Sequence, residues 1–475
     1  MLDTIYNLVA AYANWIYGWP LLILFTIVAL ALSIKLKFFQ FTKFGHIIKN
    51  TLGKMFDKGE GEGNVSPFQA TCVALASVIG TGNIAGVAVA IKMGGPGAVF
   101  WMWLIALFGL LVKCSEIIIG VACREKDPES GLFRGGFYYT VKNGLGEKWK
   151  WLGVFLTVFL ICAMGFAPAS QISAITDILN TYYDVNEYVV GAIAAALLMV
   201  VLLGGIKRIS KFAEACVPFM AILYIAGGLF ILVKFAPAIP GVIALIFESA
   251  FTGEAAVGGF AGSTLMLAIR WGIARGINSN EAGTGMAVLA HSSTTVNHPV
   301  KQGLWGVVEV IIDTFIICSI TAFAILSTGA WTSEAEGAGL TATAFGIAFG
   351  NQAVGVFFTV LIVIFFAFTT CVVNVYYGEV ALASIGGKKL VVPFRIIGCI
   401  VAFIGAIGVT TKLFTIYDFF AGTFTILNLI VVFALRKKIA LLIKDYLSRV
   451  KSGVWLKTSE ETVEEVLGNH KKQSI

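Results

Sequence analysis

The apolar stretch 66–93 is long enough to cross a bilayer, but Gly80-Thr81-Gly82-Asn83 interrupts it in the middle. A spanning helix needs about 20 mostly apolar residues, and two glycines, a threonine and an asparagine at its centre weaken it. Unpaired backbone groups are costly in hydrocarbon, so such a break persists only inside protein or beside a water-filled cavity. The stretch therefore predicts a discontinuous membrane helix that offers free carbonyls to a cation and free N–H groups to an anion.

The composition indicates an integral membrane protein. Of 475 residues, 58% are hydrophobic and 13% are charged, which excludes a soluble domain of this size. The net charge of +7 resides mainly in short loops between apolar stretches, as expected for membrane topology rather than for binding nucleic acid. The eight cysteines form no CxxC pair and the four histidines do not cluster, so we predict no metal centre, organic cofactor or enzyme active site.

We predict an all-α membrane protein with about eleven transmembrane helices, which we number as spans one to eleven. Their predicted bounds are 15–36, 66–93, 97–123, 151–179, 188–205, 212–233, 258–290, 304–328, 355–385, 390–409 and 414–435. The segment 237–251 is flanked by prolines and too short to span, so we expect an interfacial or re-entrant helix there.

Lys and Arg concentrate in the loops after spans one, three, five and nine, whereas 180–187 and 329–351 contain neither. The positive-inside rule then predicts a multi-pass protein of the cell (inner) membrane, with the N-terminus outside and the C-terminus in the cytoplasm. The charged tail 436–475 is predicted as a solvated amphipathic helix that frays, without chemistry of its own.

Spans two and seven are both interrupted, and being five apart they cross the membrane in opposite directions. This predicts two five-helix repeats of inverted topology, a common plan of secondary transporters. The expected units are 1–65, an extra helix and cytoplasmic loop; 66–233, the first repeat; 234–257, an extracellular interfacial segment; 258–435, the second repeat; and 436–475, the tail.

A Na+ site is predicted where spans two and nine meet. The first half of span two leaves the carbonyls of Ala76 and Ile79 free, and Thr369 and Thr370 of span nine add hydroxyls, with Phe366 beside them. The alternative is that the threonines bond back to carbonyls of their own helix.

A substrate site is predicted at the two breaks. In span two the N–H groups of Thr81, Gly82 and Asn83 suit a carboxylate, and we assign Val78 to the same site. In span seven the polar run of Asn278, Ser279, Asn280 and Glu281 is expensive unless it faces a cavity, and Glu281 could receive an ammonium group. The alternatives are a glycine-packed helix crossing in span two and a cytoplasmic loop in place of span seven.

Other polar residues lie in the spans. Gln171 of span four could bind a carboxylate or form a helix–helix hydrogen bond. Lys113 and Glu116 of span three are one turn apart and predict a local ion pair. Arg270 and Arg275 are expected to reach the membrane surface or to pair with an acid, and the candidate partners are Glu309 and Asp313.

Four stretches carry a resemblance to a known family. They are Ile79-Gly80-Thr81-Gly82-Asn83-Ile84-Ala85-Gly86-Val87-Ala88, Gly94-Gly95-Pro96-Gly97-Ala98-Val99-Phe100-Trp101-Met102-Trp103, Ser279-Asn280-Glu281-Ala282-Gly283 and Tyr376-Tyr377-Gly378-Glu379. Here the chain resembles the alanine or glycine:cation symporters, the sodium:alanine symporter family. The resemblance implies a leucine-transporter-like fold, Na+- or H+-coupled uptake of a small amino acid, and a substrate site lined by the two breaks, Gln171 and span nine.

The chain departs from the family pattern at two positions. Asn278 stands where the family tends to carry an aromatic residue, and Asn374 stands where it tends to carry tryptophan. If both amides face the pocket, they favour a substrate such as glutamine, serine or asparagine at least as much as alanine. The alternative is that they turn away to bond neighbouring helices.

Together these features predict a secondary active symporter that couples Na+, or alternatively H+, to uptake of a small neutral amino acid by alternating access. Its expected partners are that amino acid and the lipid bilayer, without nucleic acid. The other hypothesis is a channel or passive pore for small polar solutes, which would need a continuous polar stripe along several helices.

Overall fold

The computed structural model describes residues 2–128, 131–252, 265–408 and 410–468. Within these ranges the protein is a bundle of helices with one two-stranded antiparallel hairpin, in which Glu125–Lys126 pairs with Phe133–Arg134. The architecture of the described residues is therefore that of a helical membrane protein.

Eight helices of the described chain are long and apolar enough to cross a membrane. They are Thr4–Lys35, Ala98–Ala122, Glu147–Tyr183, Gly205–Lys234, Pro299–Ser327, Gln352–Gly386, Lys388–Ala406 and Thr415–Ala434. The pair Pro67–Val78 and Gly82–Gly94 forms a ninth candidate span, bent by 52° at its break, and this confirms the interruption predicted in span two.

The helix count of eleven stays a prediction. Of the two remaining predicted spans, span five is the 16-residue helix Glu187–Leu202 and span seven is represented by the 16-residue helix Leu265–Asn280. The predicted start of span seven at 258 and the predicted end of span ten at 409 lie outside the described residues. Ile239–Thr252 is a short helix, as predicted for 237–251.

Several long spans consist of more than one helical segment. Span one begins earlier than predicted, as Leu2–Ile16 followed by Trp19–Lys35. Span eight contains a wide π-helical turn, so its segments are Pro299–Val310, Ile311–Cys318 and Ser319–Ser327. The remaining α-helices of the spans are Lys150–Tyr183, Val391–Ala406 and Thr410–Ala434.

Short helices occupy the connections between spans. The α-helices are Phe39–Thr42, Phe44–Asn50, Phe137–Leu145 and Gly337–Phe349, and the four-residue helix Val288–His291 follows the break of span seven. The tighter 3-10 turns are Leu52–Lys54, Glu147–Trp149, Ala236–Ala238, Ala330–Thr332 and Lys388–Leu390. Gly337–Phe349 packs against the break of span two, where the Thr341 hydroxyl donates to the carbonyl of Ile84.

The C-terminal tail corrects a prediction. Its amphipathic helix Arg436–Ser452 forms as expected, but Leu442 and Tyr446 are buried, so the helix is docked and not freely solvated. A second helical piece follows as Ser459–Val463 and Glu464–Gly468. Its Glu460 carboxylate lies 2.8 Å from the guanidinium of Arg124, which follows span three.

Two glycines bring span seven close to span three. A Cβ atom on Gly272 would lie 2.3 Å from the carbonyl oxygen of Ala98, and one on Gly276 would lie 2.7 Å from Ile105. Small residues let membrane helices approach closely. The end of Leu265–Asn280 is therefore held against the middle of span three, and this contact positions the second break.

Candidate functional site

The break of span two is built from local capping and one long-range contact. Its first half begins at Ser66, whose side chain forms a reciprocal capping box with Gln69, and ends at Val78. The N–H of Gly80 would continue the helix by donating to the carbonyl of Ala76, but it donates instead to Asn83 Oδ1 at 2.9 Å. The Ala76 carbonyl is thereby released from the helix.

Thr370 of span nine faces the released carbonyls. Its hydroxyl oxygen lies 2.9 Å from the Ala76 oxygen and 3.3 Å from the Ile79 oxygen. The structure thus brings together three of the five oxygen donors predicted for a cation. Neutral carbonyl and hydroxyl oxygens are suitable ligands for a hard cation such as Na+.

Thr369 takes the alternative arrangement. Its hydroxyl donates to the carbonyls of Phe365 and Phe366 in its own helix, at 2.9 and 3.1 Å. Two of the predicted cation ligands, Thr369 and Phe366, therefore bond to each other in this conformation.

The break of span seven begins later than predicted. Asn278, Ser279 and Asn280 form the last turn of the helix Leu265–Asn280. The chain then turns at Glu281, a non-glycine residue in the left-handed region with φ +53°, and continues irregularly to the short helix Val288–His291. The second half of this span is thus a single turn and not a half-helix of membrane length.

Polar side chains link the two breaks through span eight. Asn83 Nδ2 donates to Asp313 Oδ1 at 2.5 Å, and Ser279 donates to Asp313 Oδ2 at 2.8 Å. Asn280 donates to Thr314, whose hydroxyl also donates to Asp313. All of these side chains are buried, so the interior holds a continuous polar network next to the breaks.

A cavity of about 480 Å³ lies beside the breaks. Of the residues predicted for the substrate or cation site, eight line it: Val78, Thr81, Gly82, Gln171, Asn278, Glu281, Thr370 and Asn374. Seven do not line it: Ala76, Ile79, Asn83, Ser279, Asn280, Phe366 and Thr369. The two predicted groups thus divide into a cavity wall and a supporting layer behind it.

The cavity wall has two features that suit an amino acid. Thr81 and Gly82 begin the second half of span two, where the first backbone N–H groups of a helix have no partner within the helix. The Thr81 hydroxyl also donates to Gln171 at 3.3 Å. Glu281 accepts from Ser77 through one carboxylate oxygen, while Oε2 is buried without a hydrogen-bond partner. Donors for a carboxylate and an acceptor for an ammonium group therefore share one cavity.

Sequence reasoning missed a charged and aromatic part of the wall. Arg270, Trp271, Tyr417 and Asp418 also line the cavity, as do Asn14 and Tyr17 of span one. Asp418 could have been found, because an acid inside an apolar span indicates a cavity or a partner. Asn14 and Tyr17 carried no such signal, because span one was predicted to be an additional helix outside the two repeats.

The partners predicted for the arginines are wrong. Arg275 lines the cavity with its guanidinium 5.2 Å from the ring centre of Trp271. The proposed acid Asp313 belongs to the buried network, and the other, Glu309, lies 2.5 Å from His291 Nε2. Both acids are thus engaged elsewhere in the interior.

The local ion pair predicted in span three is also wrong. The ammonium of Lys113 donates to the carbonyl of Asn280 at 3.2 Å and lies 3.8 Å from Glu309. Glu116 accepts from the N–H of Gly285 at 3.0 Å and from the Asn428 amide at 3.3 Å. Both side chains therefore hold the break of span seven and form no direct salt bridge with each other.

A helical membrane bundle with a broken span beside a polar cavity is the architecture of a membrane transporter. The fold is similar to the crystal structure of a manganese transporter from Eremococcus coleocola. The TM-score is 0.51 at 10% sequence identity, over 78% of this chain and 80% of that chain. This likeness concerns the fold alone.

Sequence similarity establishes the family. The model of the sodium:alanine symporter family matches residues 2–460, and the chain belongs to that family, as its motifs predicted. It is 40% identical to the uncharacterized transporter YflA of Bacillus subtilis, over 91% of this chain and 92% of that protein. The family consists of transporters and not of enzymes, in agreement with the sequence analysis.

Two relatives have names that state a substrate. The chain is 34% identical to the sodium/alanine symporter AgcS of Methanococcus maripaludis, over 89% of this chain and 93% of that protein. It is 36% identical to the probable sodium/glutamine symporter GlnT of Bacillus subtilis, over 82% and 80% of the two chains. Both are named for symport of an amino acid with sodium.

Proposed function

We propose that this protein is a secondary active symporter that couples Na+ entry to uptake of a small neutral amino acid. The observation that carries the proposal is the position of Thr370 against the Ala76 and Ile79 carbonyls, next to a cavity lined by Thr81 and Gly82. A cation site and an anion-binding helix start then meet at one break. A cation bound there favours the conformation that also binds substrate, which couples the two by linkage.

The substrate would lie along the cavity wall. Its carboxylate would accept from the backbone of Thr81 and Gly82, and its ammonium group would face Glu281. Gln171 and Asn374 would line the remaining space. Asn83, Ser279 and Asn280 support the site from behind the wall and do not contact the amino acid. The site works by alternating access of two inverted five-helix repeats, as in leucine-transporter-like proteins.

We favour a polar side chain in the substrate. Asn278 and Asn374 both line the cavity, which supports a substrate with a polar side chain. Asn374 is buried, and an amide that loses water without gaining a partner costs about 1–3 kcal/mol, so a polar substrate side chain suits this wall better than an alanine methyl group. Glutamine, asparagine or serine is therefore expected to compete with alanine at least as well as alanine itself does.

Uptake in proteoliposomes tests the proposal. Radiolabelled alanine and glutamine are offered under an inward Na+ gradient, an inward H+ gradient, or neither. We expect accumulation above equilibrium with the Na+ gradient. If the H+ gradient alone drives accumulation, the coupling ion is H+ and not Na+. Passive equilibration that does not saturate would instead support the channel hypothesis.

A further inference from the structure

The two breaks release a backbone carbonyl in the same manner. In span two the Gly80 N–H is diverted from the Ala76 carbonyl to Asn83 Oδ1. In span seven the Thr284 N–H is diverted from the Asn280 carbonyl to the carbonyl of Glu281, at 3.2 Å. Each break thus leaves a carbonyl at the end of its first half-helix, where the helix dipole favours positive charge.

The side chains that meet these carbonyls differ in charge. At span two the partner is the neutral hydroxyl of Thr370, at 2.9 Å. At span seven the partner is the ammonium group of Lys113, at 3.2 Å. Lys113 comes from span three and is 0% exposed, so its charge is held at the break and is not shared with water.

Acidic groups surround this ammonium group. Glu309 Oε2 lies 3.8 Å from Lys113 Nζ, and two further buried acids lie close in sequence to the groups that meet here, Glu116 one turn along span three and Glu281 next to Asn280. One carboxylate oxygen of each of the three glutamates is buried without a hydrogen-bond partner. Buried carboxylates are costly unless a positive charge compensates them. Lys113 therefore brings a covalently held positive charge to this group of acids, on the side of Glu309 opposite the oxygen that lies 2.5 Å from His291 Nε2.

We propose that Lys113 is a tethered cation that fills the break of span seven, so that this break takes no mobile cation. Na+ then binds at the break of span two, where the partner is neutral. The first part concerns span seven alone, and the second rests on the proposed function. It follows that removing the ammonium group while keeping Glu309 creates a site for a monovalent cation between that carboxylate and the Asn280 carbonyl.

The test counts Na+ bound to purified protein with radioactive sodium in a scintillation proximity assay, a readout independent of transport. Lys113→Gln removes the charge, Lys113→Arg keeps it, and the double variant Lys113→Gln, Glu309→Gln removes both charges of the pair. We expect Lys113→Gln to bind one more Na+ per protein than the natural chain. Lys113→Arg and the double variant should bind the same number as the natural chain.

Several outcomes decide the proposal. If Lys113→Gln folds and binds no additional Na+, the proposal is wrong. If Lys113→Gln folds only in high Na+, the added cation replaces the ammonium and the proposal is supported. If Na+ never recovers that variant although the double variant folds, Lys113 is a structural charge partner and the proposal is wrong. Should the natural chain bind no Na+ while Lys113→Gln binds one, the proposed function fails but the role of Lys113 at span seven stands.

Discussion

Asn83 and Asp313 lie 230 residues apart in sequence, yet Asn83 Nδ2 is 2.5 Å from Asp313 Oδ1 in the protein interior. The other end of the same amide accepts the Gly80 N–H. A single side chain therefore ties the break of span two to the middle of span eight. This link keeps the Ala76 carbonyl out of the helix and available to Thr370.

The first prediction tests this link. Asn83→Ala and Asp313→Ala should each raise the Na+ concentration for half-maximal uptake about tenfold, equivalent to about 1.4 kcal/mol. Both variants break the same link. The double variant should therefore need no more Na+ for half-maximal uptake than the more severe of the two single variants, which a double-mutant cycle measures. Thr314→Val is the control, since Thr314 also donates to Asp313 but does not touch Asn83. Additive effects of the two alanine variants would contradict the coupling.

The second prediction separates the two threonines of span nine. Thr370→Ala removes a hydroxyl that faces two released carbonyls, so we expect about a tenfold rise in half-saturating Na+. Thr369→Ala removes a hydroxyl bonded within its own helix, so its effect should be less than about threefold. Na+ dependence of uptake at saturating amino acid measures both. An unchanged Na+ requirement in the doubly substituted protein would remove both residues from the cation site.

The third prediction uses a matched pair of glycines. A Cβ atom on Gly80 would lie 2.7 Å from Thr370 Oγ1, whereas one on Gly82 would have no atom within 4 Å. Gly80→Ala should therefore displace the Thr370 hydroxyl and weaken Na+ dependence as strongly as Thr370→Ala does. Gly82→Ala adds a methyl group that meets no atom of the protein, so it should leave the Thr370 hydroxyl in place and the half-saturating Na+ concentration unchanged. Equal effects of the two substitutions would show that helix propensity, and not the displaced hydroxyl, controls the site.

The fourth prediction concerns specificity. Asn374→Trp replaces a cavity amide by a large apolar wall, so the variant should lose competition by glutamine and asparagine while keeping alanine. The expected loss is about tenfold or more in inhibition constant, because the amide side chain of the substrate then lacks a polar partner. A competition panel of the twenty amino acids against labelled alanine measures the change. If glycine and alanine alone compete in the natural chain, and the variant has the same profile, the polar-pocket hypothesis is wrong.

The fifth prediction concerns pH and the docked tail. Burial lowers the pKa of His298 below its usual 6.5, although Asp445 of the tail partly offsets this effect. The Nδ1 atom accepts from the N–H of Val300, and Nε2 lies 3.3 Å from Asp445, an arrangement that suits the neutral ring. The unfolded chain binds the proton at a higher pH than the folded protein. The stability from the neutral ring is therefore complete above pH 6.5 and is lost as the pH falls toward the lowered pKa.

Melting temperatures of the natural chain and of His298→Asn, measured from about pH 5 to 8, test this expectation. Asparagine retains an N-cap acceptor but does not titrate in this range. The difference in melting temperature between the two proteins should shrink as the pH falls. A difference that is independent of pH would contradict the assignment.

Local composition was sufficient to predict the helical membrane class and the break in span two. Glycine and asparagine at 80–83 weaken a helix wherever it is placed, so no tertiary information was needed. The amphipathic tail helix was also predictable, because the spacing of its apolar and charged residues is a local pattern. Its docking was not predictable. Docking of Leu442 and Tyr446 depends on the surface formed by spans one, three and eight, which lie far from the tail in sequence.

The roles of individual polar residues were decided by tertiary structure. The sequence placed Asn83 beside a substrate and Lys113 beside Glu116, because neighbours along one helix are all that a sequence shows. In the folded chain Asn83 turns to Asp313, and Lys113 turns to the carbonyl of Asn280. Leaving a buried polar group unpaired costs about 1–3 kcal/mol, which exceeds the preference for a neighbour on the same helix. The partner is therefore the group that the packed helices bring within hydrogen-bond distance. The sequence by itself thus determined where the helices break, and the packing of distant spans decided which groups meet there.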